Sequence, residues 1–158
     1  MKYRYRSVLL VSLLLSGCNP APPPAASSLP VIDVKIGKRL YRLEVAADRE
    51  SAEKGLMDRD SMPADHGMLF VSPAETTQHF WMKNTRIPLD IIFITATGEV
   101  ESIAHMKPAP PNVPDDQLPV TNSVGPAKFA IELNDGAAEQ AEVKVGDTIY
   151  IPGPKPTP

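Results

Sequence analysis

The clearest pattern in the chain is an alternation of apolar and polar residues that begins near position 31. Tyr41 and Leu43 fall on one side of this alternation, whereas Arg42 and Glu44 fall on the other. Successive side chains of a strand point to opposite faces of a sheet, so a period of two predicts β-structure. With a turn at Gly37-Lys38, the pattern predicts a β-hairpin of residues 31–36 and 40–46.

Short apolar runs bounded by glycine, proline or polar residues predict the remaining strands. They span residues 68–71, 79–82, 90–94, 99–104, 128–133 and 148–151, with a turn at 96–98. Asp48 is placed to cap a helix over residues 49–54 that ends at Gly55, and residues 137–141 favour one helical turn. Because short strands dominate, we expect a mostly β (α+β) fold, a small barrel- or sandwich-like β domain with one or two short helices.

The first residues have the features of a secretory signal. Lys2, Arg4 and Arg6 precede a short apolar stretch, which ends in Leu15-Ser16-Gly17-Cys18. That tetrapeptide resembles the lipobox of bacterial lipoproteins, which implies cleavage before Cys18 and acylation of this cysteine. The expected organisation is therefore a signal peptide at 1–17, a lipidated cysteine and Pro/Ala/Ser tether at 18–30, one globular domain at 31–151 and a proline-rich tail at 152–158.

This organisation predicts a location. A lipid bilayer would be the first partner, held through acylated Cys18, because buried acyl chains anchor a protein stably. Asn19 follows the cysteine, and it is not the aspartate that favours retention in the inner membrane of enteric bacteria. We therefore expect a lipid-anchored protein of the bacterial cell envelope, at the outer membrane and facing the periplasm.

Charge and cysteine content exclude several kinds of function. Residues 1–17 hold three basic and no acidic residues, so their removal changes the formal charge from −3 to −6. An acidic domain without a cluster of Lys and Arg is not expected to bind nucleic acid. Cys18 is the only cysteine, which excludes an internal disulfide, a Cys-x-x-Cys redox pair and a thiolate zinc site. The sequence predicts no cofactor.

The densest sequence blocks lie between residues 55 and 94. They read Gly-Leu-Met-Asp-Arg at 55–59, Gly-Met-Leu-Phe at 67–70, Phe-Trp-Met-Lys-Asn-Thr at 80–85 and Ile-Pro-Leu-Asp at 87–90. In this order and spacing, with residues 128–136 and Val-Gly-Asp at 145–147, they resemble the family known as domain of unknown function 192. The resemblance covers roughly residues 31–151. It implies a small β-rich domain, often secreted or lipid-anchored, and no established activity.

The same blocks contain polar residues within apolar surroundings, where a polar group must find a partner or perform a function. The candidate ligand-binding residues are Arg59, Trp81, Lys83, Asn84, Thr85, Asp90 and Glu132. In a functional interpretation, they form a polar cleft for a small-molecule, glycan or protein ligand of an accessory module. In a structural interpretation, Arg59 pairs with Asp90 or Glu132, and the Asn-Thr dipeptide stabilises the turn before Pro88.

Two alternatives remain open. An envelope glycan hydrolase would use Asp90 and Glu132 as paired carboxylates, although no Gly-x-Ser-x-Gly or His-Glu-x-x-His motif indicates a catalytic centre. A periplasmic Cu(I)-binding protein would use thioether and imidazole ligands, for which the candidates are Met57, Met68, His79 and Met82. Apolar packing is the simpler explanation of these methionines.

Overall fold

A six-stranded sheet forms the centre of the molecule in the computed structural model, which describes residues 29–153. In chain order the elements are β1 (Val31–Ile36), β2 (Arg39–Ala46), α1 (Arg49–Lys54), β3 (His66–Thr76), β4 (His79–Trp81), β5 (Leu89–Ile94), β6 (Val100–Met106), β7 (Val120–Asn122), β8 (Ala127–Asn134) and α2 (Ala137–Gln140). The sheet order is β1-β2-β3-β8-β5-β6, and β4 pairs with β7 in a separate two-stranded ribbon. Within the described residues, β2 and β3 run parallel, and the other neighbours are antiparallel.

The elements that depend on local pattern agree with the sequence. The first hairpin forms in the expected register, with Ile36 opposite Arg39 across the Gly37 turn. Helix α1 has its capping box, in which the Ser51 amide donates to Asp48 Oδ1 at 2.9 Å, and Gly55 ends it with a φ of 46°. The mostly β class with two short helices is confirmed.

Two details differ from the expectation. Residues 148–151 do not form a strand, because only Thr148 makes a bridge, to Glu99. The sheet does not close into a barrel. The sequence also gave no indication of β7 or of the 3₁₀ turn at Asp115–Gln117, both of which follow the proline-rich stretch that begins at Pro108.

The two faces of the sheet carry separate cores. On the helix face, Leu43, Leu69, Ile92 and Ile131 pack with residues of α2 and the segment after it, including Ala138, Val143 and Ile149. On the loop face, Met68, Phe70, Ile91 and Phe93 pack under residues of the covering loops, Leu56, Met62, Met82 and Ile87. Burying both faces explains why β5 is apolar at almost every position.

The predicted signal peptide, Cys18 and most of the tether lie outside the described residues, as does the end of the tail. In the part that is described, no helix has the length and hydropathy needed to cross a membrane.

Candidate functional site

The candidate ligand-binding residues lie in three places and do not form one cleft. Lys83, Asn84 and Thr85 line a depression beside Trp81. Arg59 is turned towards β2, where it pairs with Glu44. Asp90 and Glu132 belong to the central strands β5 and β8.

The turn that follows β4 is held by its own backbone. The amide of Thr85 donates to the Met82 carbonyl at 3.2 Å, and the Thr85 hydroxyl donates to the Lys83 carbonyl at 3.2 Å. Asn84 takes a left-handed conformation, with a φ of 50°, which asparagine adopts more readily than most residues. Its carbonyl accepts from the Asp58 amide at 2.8 Å. The expected structural role of the Asn-Thr dipeptide in this turn is therefore present.

This turn forms one wall of a cleft of about 300 Å³, which we call the turn cleft. The turn wall consists of residues 82–86, and the opposite wall is the proline-rich segment between Pro108 and Leu118. Asp115 reaches across as the ion-pair partner of Lys83. Arg86 pairs with Asp60 at 2.8 Å on the outside of the turn. Exposed ion pairs of this kind contribute little to the free energy of unfolding. Because the pairs are exposed, their charges are accessible to a ligand.

Trp81 directly precedes the residues that line the turn cleft, and 42% of its surface is exposed. Lys83 Nζ lies 5.3 Å from the centroid of its ring, within the range of a cation–π contact. On the paired strand β7, Val120 lies directly opposite Trp81 and is 55% exposed. An open aromatic ring therefore lies next to charged and amide groups.

The partner of Arg59 differs from both partners expected from the sequence. Its Nη1 and Nη2 donate to the two Glu44 carboxylate oxygens at 2.6 and 2.7 Å, a bidentate pair. The hydrogen bond to Glu44 raises the pKa of the Arg59 guanidinium. The expected pairing with Asp90 or Glu132 is wrong, because β2 supplies a nearer carboxylate.

Asp90 and Glu132 do not converge. In the β5–β8 register, Asp90 lies opposite Leu133 and Ile91 lies opposite Glu132. Since neighbouring positions of a strand face opposite sides, the two carboxyl groups lie on opposite faces of the sheet. The arrangement proposed for a glycan hydrolase, with these two residues as acid and base, is therefore wrong.

Glu132 lies on the loop face, 5% exposed, between Met68 and Ile91 on the neighbouring strands. Among residues 29–153 no group forms a hydrogen bond or an ion pair with its carboxyl. Burial disfavours the charged form and raises the pKa of Glu132 to about 8. Burial therefore favours the neutral, protonated form of this side chain.

Asp90 lies on the helix face and is fully buried. Its Oδ1 lies 2.5 Å from His105 Nδ1, and its Oδ2 accepts a hydrogen bond from the Ala138 amide at 2.9 Å. Asp135 Oδ1 lies 3.5 Å from the same His105 nitrogen. His105 also borders a depression of about 530 Å³ beside α2, which Glu139 and other residues line.

Neither His105 nor Asp135 was among the candidate residues, although the sequence contained a signal for the first. Residues 90–94 and 99–104 were expected to be strands joined by a turn at 96–98. A hairpin centred on that turn places residue 90 opposite residue 104, within one position of His105, and the register shift after Phe93 brings Asp90 opposite His105 in the structure. For Asp135 no comparable signal existed, since its position depends on the pairing of β5 with the distant β8.

The candidate Cu(I) ligands occupy different environments. Met68 and Met82 pack in the buried core of the loop face, and Met57 is half-buried. His79 is exposed in β4, where its Nδ1 lies 2.7 Å from Asn122 Oδ1. The Cu(I) alternative remains an untested prediction.

The model of the family known as domain of unknown function 192 (DUF192, Uncharacterized ACR) matches residues 32–151, which include every strand and both helices except the first residue of β1. The chain belongs to this family. No functionally curated protein matches the sequence.

Two solved structures have the same fold. A protein of unknown function from Novosphingobium aromaticivorans DSM 12444 aligns with a TM-score of 0.68 and 30% identity over 84% of this chain and 93% of that chain. A proposed transcription regulator from Sinorhizobium meliloti 1021 aligns with a TM-score of 0.64 and 31% identity over 77% of this chain and 92% of that chain. The alignments span nearly the whole of both solved chains.

Proposed function

We propose that this DUF192 protein is a lipoprotein of the cell envelope whose turn cleft binds an extended polar ligand, with a glycan as the favoured class. The observation that carries the proposal is the exposed ring of Trp81 beside the turn cleft, with Lys83 over the ring at 5.3 Å.

The chemistry of sugars fits these groups. A pyranose ring has an apolar C–H face that packs on an exposed indole, and its hydroxyls bind carboxylates, amides and ammonium groups. Trp81 supplies the indole, while Asn84, Lys83 and Asp115 supply the polar groups within the turn cleft. A site of this kind combines one apolar surface with a few polar groups that fix orientation.

The second part of the proposal is the anchor. Cys18, within the lipobox-like Leu-Ser-Gly-Cys, would carry the acyl chains, and the Pro/Ala/Ser tether would hold the domain in the periplasm at the outer membrane. A formal charge of −6 after residue 17 argues against nucleic acid as the ligand. A neutral or cationic glycan suits such a surface better than an anionic polymer.

Trp81 makes the binding proposal directly measurable, because it is the only tryptophan of the chain. The purified protein in mild detergent would be titrated with β-1,4-linked N-acetylglucosamine oligomers and with peptidoglycan fragments, with indole fluorescence as the readout. We expect a saturable change, and an affinity at least about tenfold lower, or about 1.4 kcal/mol, in Lys83→Ala.

Lys38→Ala is the matched control. Lys38 also forms an exposed ion pair, with Glu142, but lies beside α2 rather than the turn cleft. Its removal should leave the titration unchanged. An oligosaccharide response that Lys83→Ala leaves intact, or no response to any of these glycans, would overturn the binding proposal.

The anchor has a separate test. Cells that express the protein would be grown with an alkyne-tagged fatty acid, and the label on the protein would be compared with that on Cys18→Ser. Labelling that depends on Cys18, together with recovery in the outer-membrane fraction, is the expected result. Equal labelling of both proteins, or none, would contradict lipidation at Cys18.

A further inference from the structure

A side-chain cluster on the helix face has the composition of a cation site. Asp90, His105 and Asp135 each offer one ligand atom, and these atoms lie within 4.8 Å of one another. The cluster is separate from the turn cleft, because none of its residues lines that cleft. It is also separate from Glu132, which lies on the opposite face of the sheet.

The charges of this cluster are not balanced by protein groups. Asp90 is fully buried, and a buried carboxylate requires compensation by hydrogen bonds and an opposite charge. Within the described residues, neither Asp90 nor Asp135 forms an ion pair with lysine or arginine, and His105 is their one ion-pair partner. Even a protonated His105 therefore leaves one negative charge on the cluster.

The backbone fixes the ligand atoms in place. Asp90 and His105 are directly opposite each other in the β5–β6 hairpin, so the strand register determines their separation. The Ala138 amide holds Asp90 Oδ2, which directs Oδ1 towards His105. Hydrogen bonds that orient a ligand in this way are typical of metal sites.

We propose that Asp90, His105 and Asp135 bind a first-row divalent cation of the Zn(II) class. One imidazole nitrogen and two carboxylate oxygens suit such a cation, whereas the soft thioethers preferred by Cu(I) are not part of the cluster. Ligands about 2.1 Å from a tetrahedral metal lie roughly 3.4 Å apart, close to the 3.5 Å between His105 Nδ1 and Asp135 Oδ1.

Binding needs one adjustment. The His105 ring must move away from Asp90 Oδ1, because 2.5 Å is too short a separation for two ligands of one metal. The His105 side chain is 64% exposed and is free to make this shift. The Nδ1 nitrogen must also offer its lone pair to the metal.

Three protein ligands leave a position for water or another small ligand, as in open zinc sites. His105 borders the depression of about 530 Å³, which provides space for that ligand. The proposed site is therefore a metal centre with an accessible position rather than a closed structural one.

The test uses the full protein, purified in mild detergent and freed of metal with a chelator. It would be titrated with Co(II), followed by its visible d–d absorption, and with Zn(II), followed by calorimetry. We expect one equivalent of metal, and at least tenfold weaker binding in His105→Ala and in Asp135→Asn, whose exposed side chain can be changed without disturbing the core.

His66→Ala is the control, because His66 Nδ1 also lies 2.8 Å from a carboxylate oxygen, that of Asp65, but among the described residues it belongs to no group of three potential metal ligands. It should bind metal like the unmodified protein. Equal affinity in His105→Ala, Asp135→Asn and the unmodified protein would show adventitious binding only and would overturn the proposal. Absence of Co(II) and Zn(II) binding would also overturn it, without affecting the proposed glycan site.

Discussion

Asp90 and Glu132 carry buried carboxyl groups on adjacent strands, but the groups lie on opposite faces of the sheet. The elements that cover each face give the two carboxyl groups different surroundings. Asp90 is fully buried and Glu132 is 5% exposed. The Asp90 carboxyl accepts a hydrogen bond from the Ala138 amide of α2, and it lies within hydrogen-bond distance of the His105 ring nitrogen on β6. Glu132 lies under apolar loops, and burial raises its pKa to about 8. Depth of burial is thus similar, but of these two carboxyl groups only that of Asp90 has polar partners among the described residues.

The difference between Asp90 and Glu132 concerns the stability of the sheet and not ligand binding in the turn cleft. Asp90 has neighbours that accommodate a charge or bind a cation with it, whereas Glu132 avoids its charge by keeping a proton. Neither belongs to the turn cleft, whose polar groups lie on loops. The four predictions below test this difference, beginning with the largest expected effect.

Replacing Asp90 should cost most. Asp90→Ala leaves the Ala138 amide without its acceptor and removes the carboxylate partner of His105, and we expect a loss of about 3 to 5 kcal/mol in the free energy of unfolding. Chemical denaturation would measure it, with exposed Asp116→Ala as the control. A loss below about 1 kcal/mol would show that the helix face tolerates the change and would remove the contrast with Glu132.

Glu132 should make stability depend on pH. Its pKa rises from 4.5 to about 8 on folding, so the folded state holds a proton that the unfolded chain releases. This contribution is fully present below pH 4.5 and is lost as the pH rises through 8, with on the order of 3 kcal/mol already lost at pH 7.

Glu132→Gln should remove this loss, so the variant should gain stability relative to the unmodified protein between pH 5 and 8. Thermal unfolding of both proteins across that range would measure the difference, with exposed Glu139→Gln as the control. Parallel curves for Glu132→Gln and the unmodified protein would mean that Glu132 is ionised when folded.

A substitution at Gly67 tests the packing of the strands that carry the two carboxyl groups. Gly67 pairs with Leu43 on β2 and with Leu133 on β8, and Leu133 in turn pairs with Asp90 on β5. A Cβ added at Gly67 would lie 2.5 Å from the Glu132 carbonyl oxygen and 2.7 Å from Leu133 Cδ2. Gly67→Ala should therefore cost about 2 kcal/mol through overpacking. Denaturant midpoints would show this loss, and a neutral effect would mean that β3 and β8 separate easily.

A substitution of Arg59 is expected to have the smallest effect. Its partner Glu44 supplies a third carboxyl group for the comparison. Glu44 lies in the same cross-strand row as Glu132, separated from it by Met68, but has a bidentate guanidinium partner. Arg59→Lys keeps the charge and loses the bidentate geometry, so we expect a cost of about 1 kcal/mol. A cost as large as that of Asp90→Ala would mean that this half-buried pair behaves as a fully buried one.

The sequence predicted the parts of this structure that depend on neighbours in the chain. The first hairpin and the capped helix α1 follow from alternation and from Asp48 and Gly55, each within a few residues. Residues 148–151 have the composition of a strand, but a strand forms only where its backbone pairs with another strand. Within this segment only Thr148 makes a bridge, to Glu99.

The candidate site was less predictable because it depends on distant pairings. Asp90 to Ile94 is almost continuously apolar, so the sequence could not show which face Asp90 occupies. Its separation from Glu132 follows from the β5–β8 register, which joins segments about forty residues apart. The turn residues Lys83, Asn84 and Thr85 were found because they adjoin each other, whereas Asp115 came from a loop of no recognisable pattern.

Amide NMR of the isotope-labelled protein with an N-acetylglucosamine oligomer would show directly whether ligand binding belongs to the turn cleft. We expect chemical-shift changes in residues 81–86 and in the 108–118 segment, with those of β5 and β8 unchanged. Changes centred on Asp90, Glu132 or α2, with the turn unaffected, would contradict this expectation.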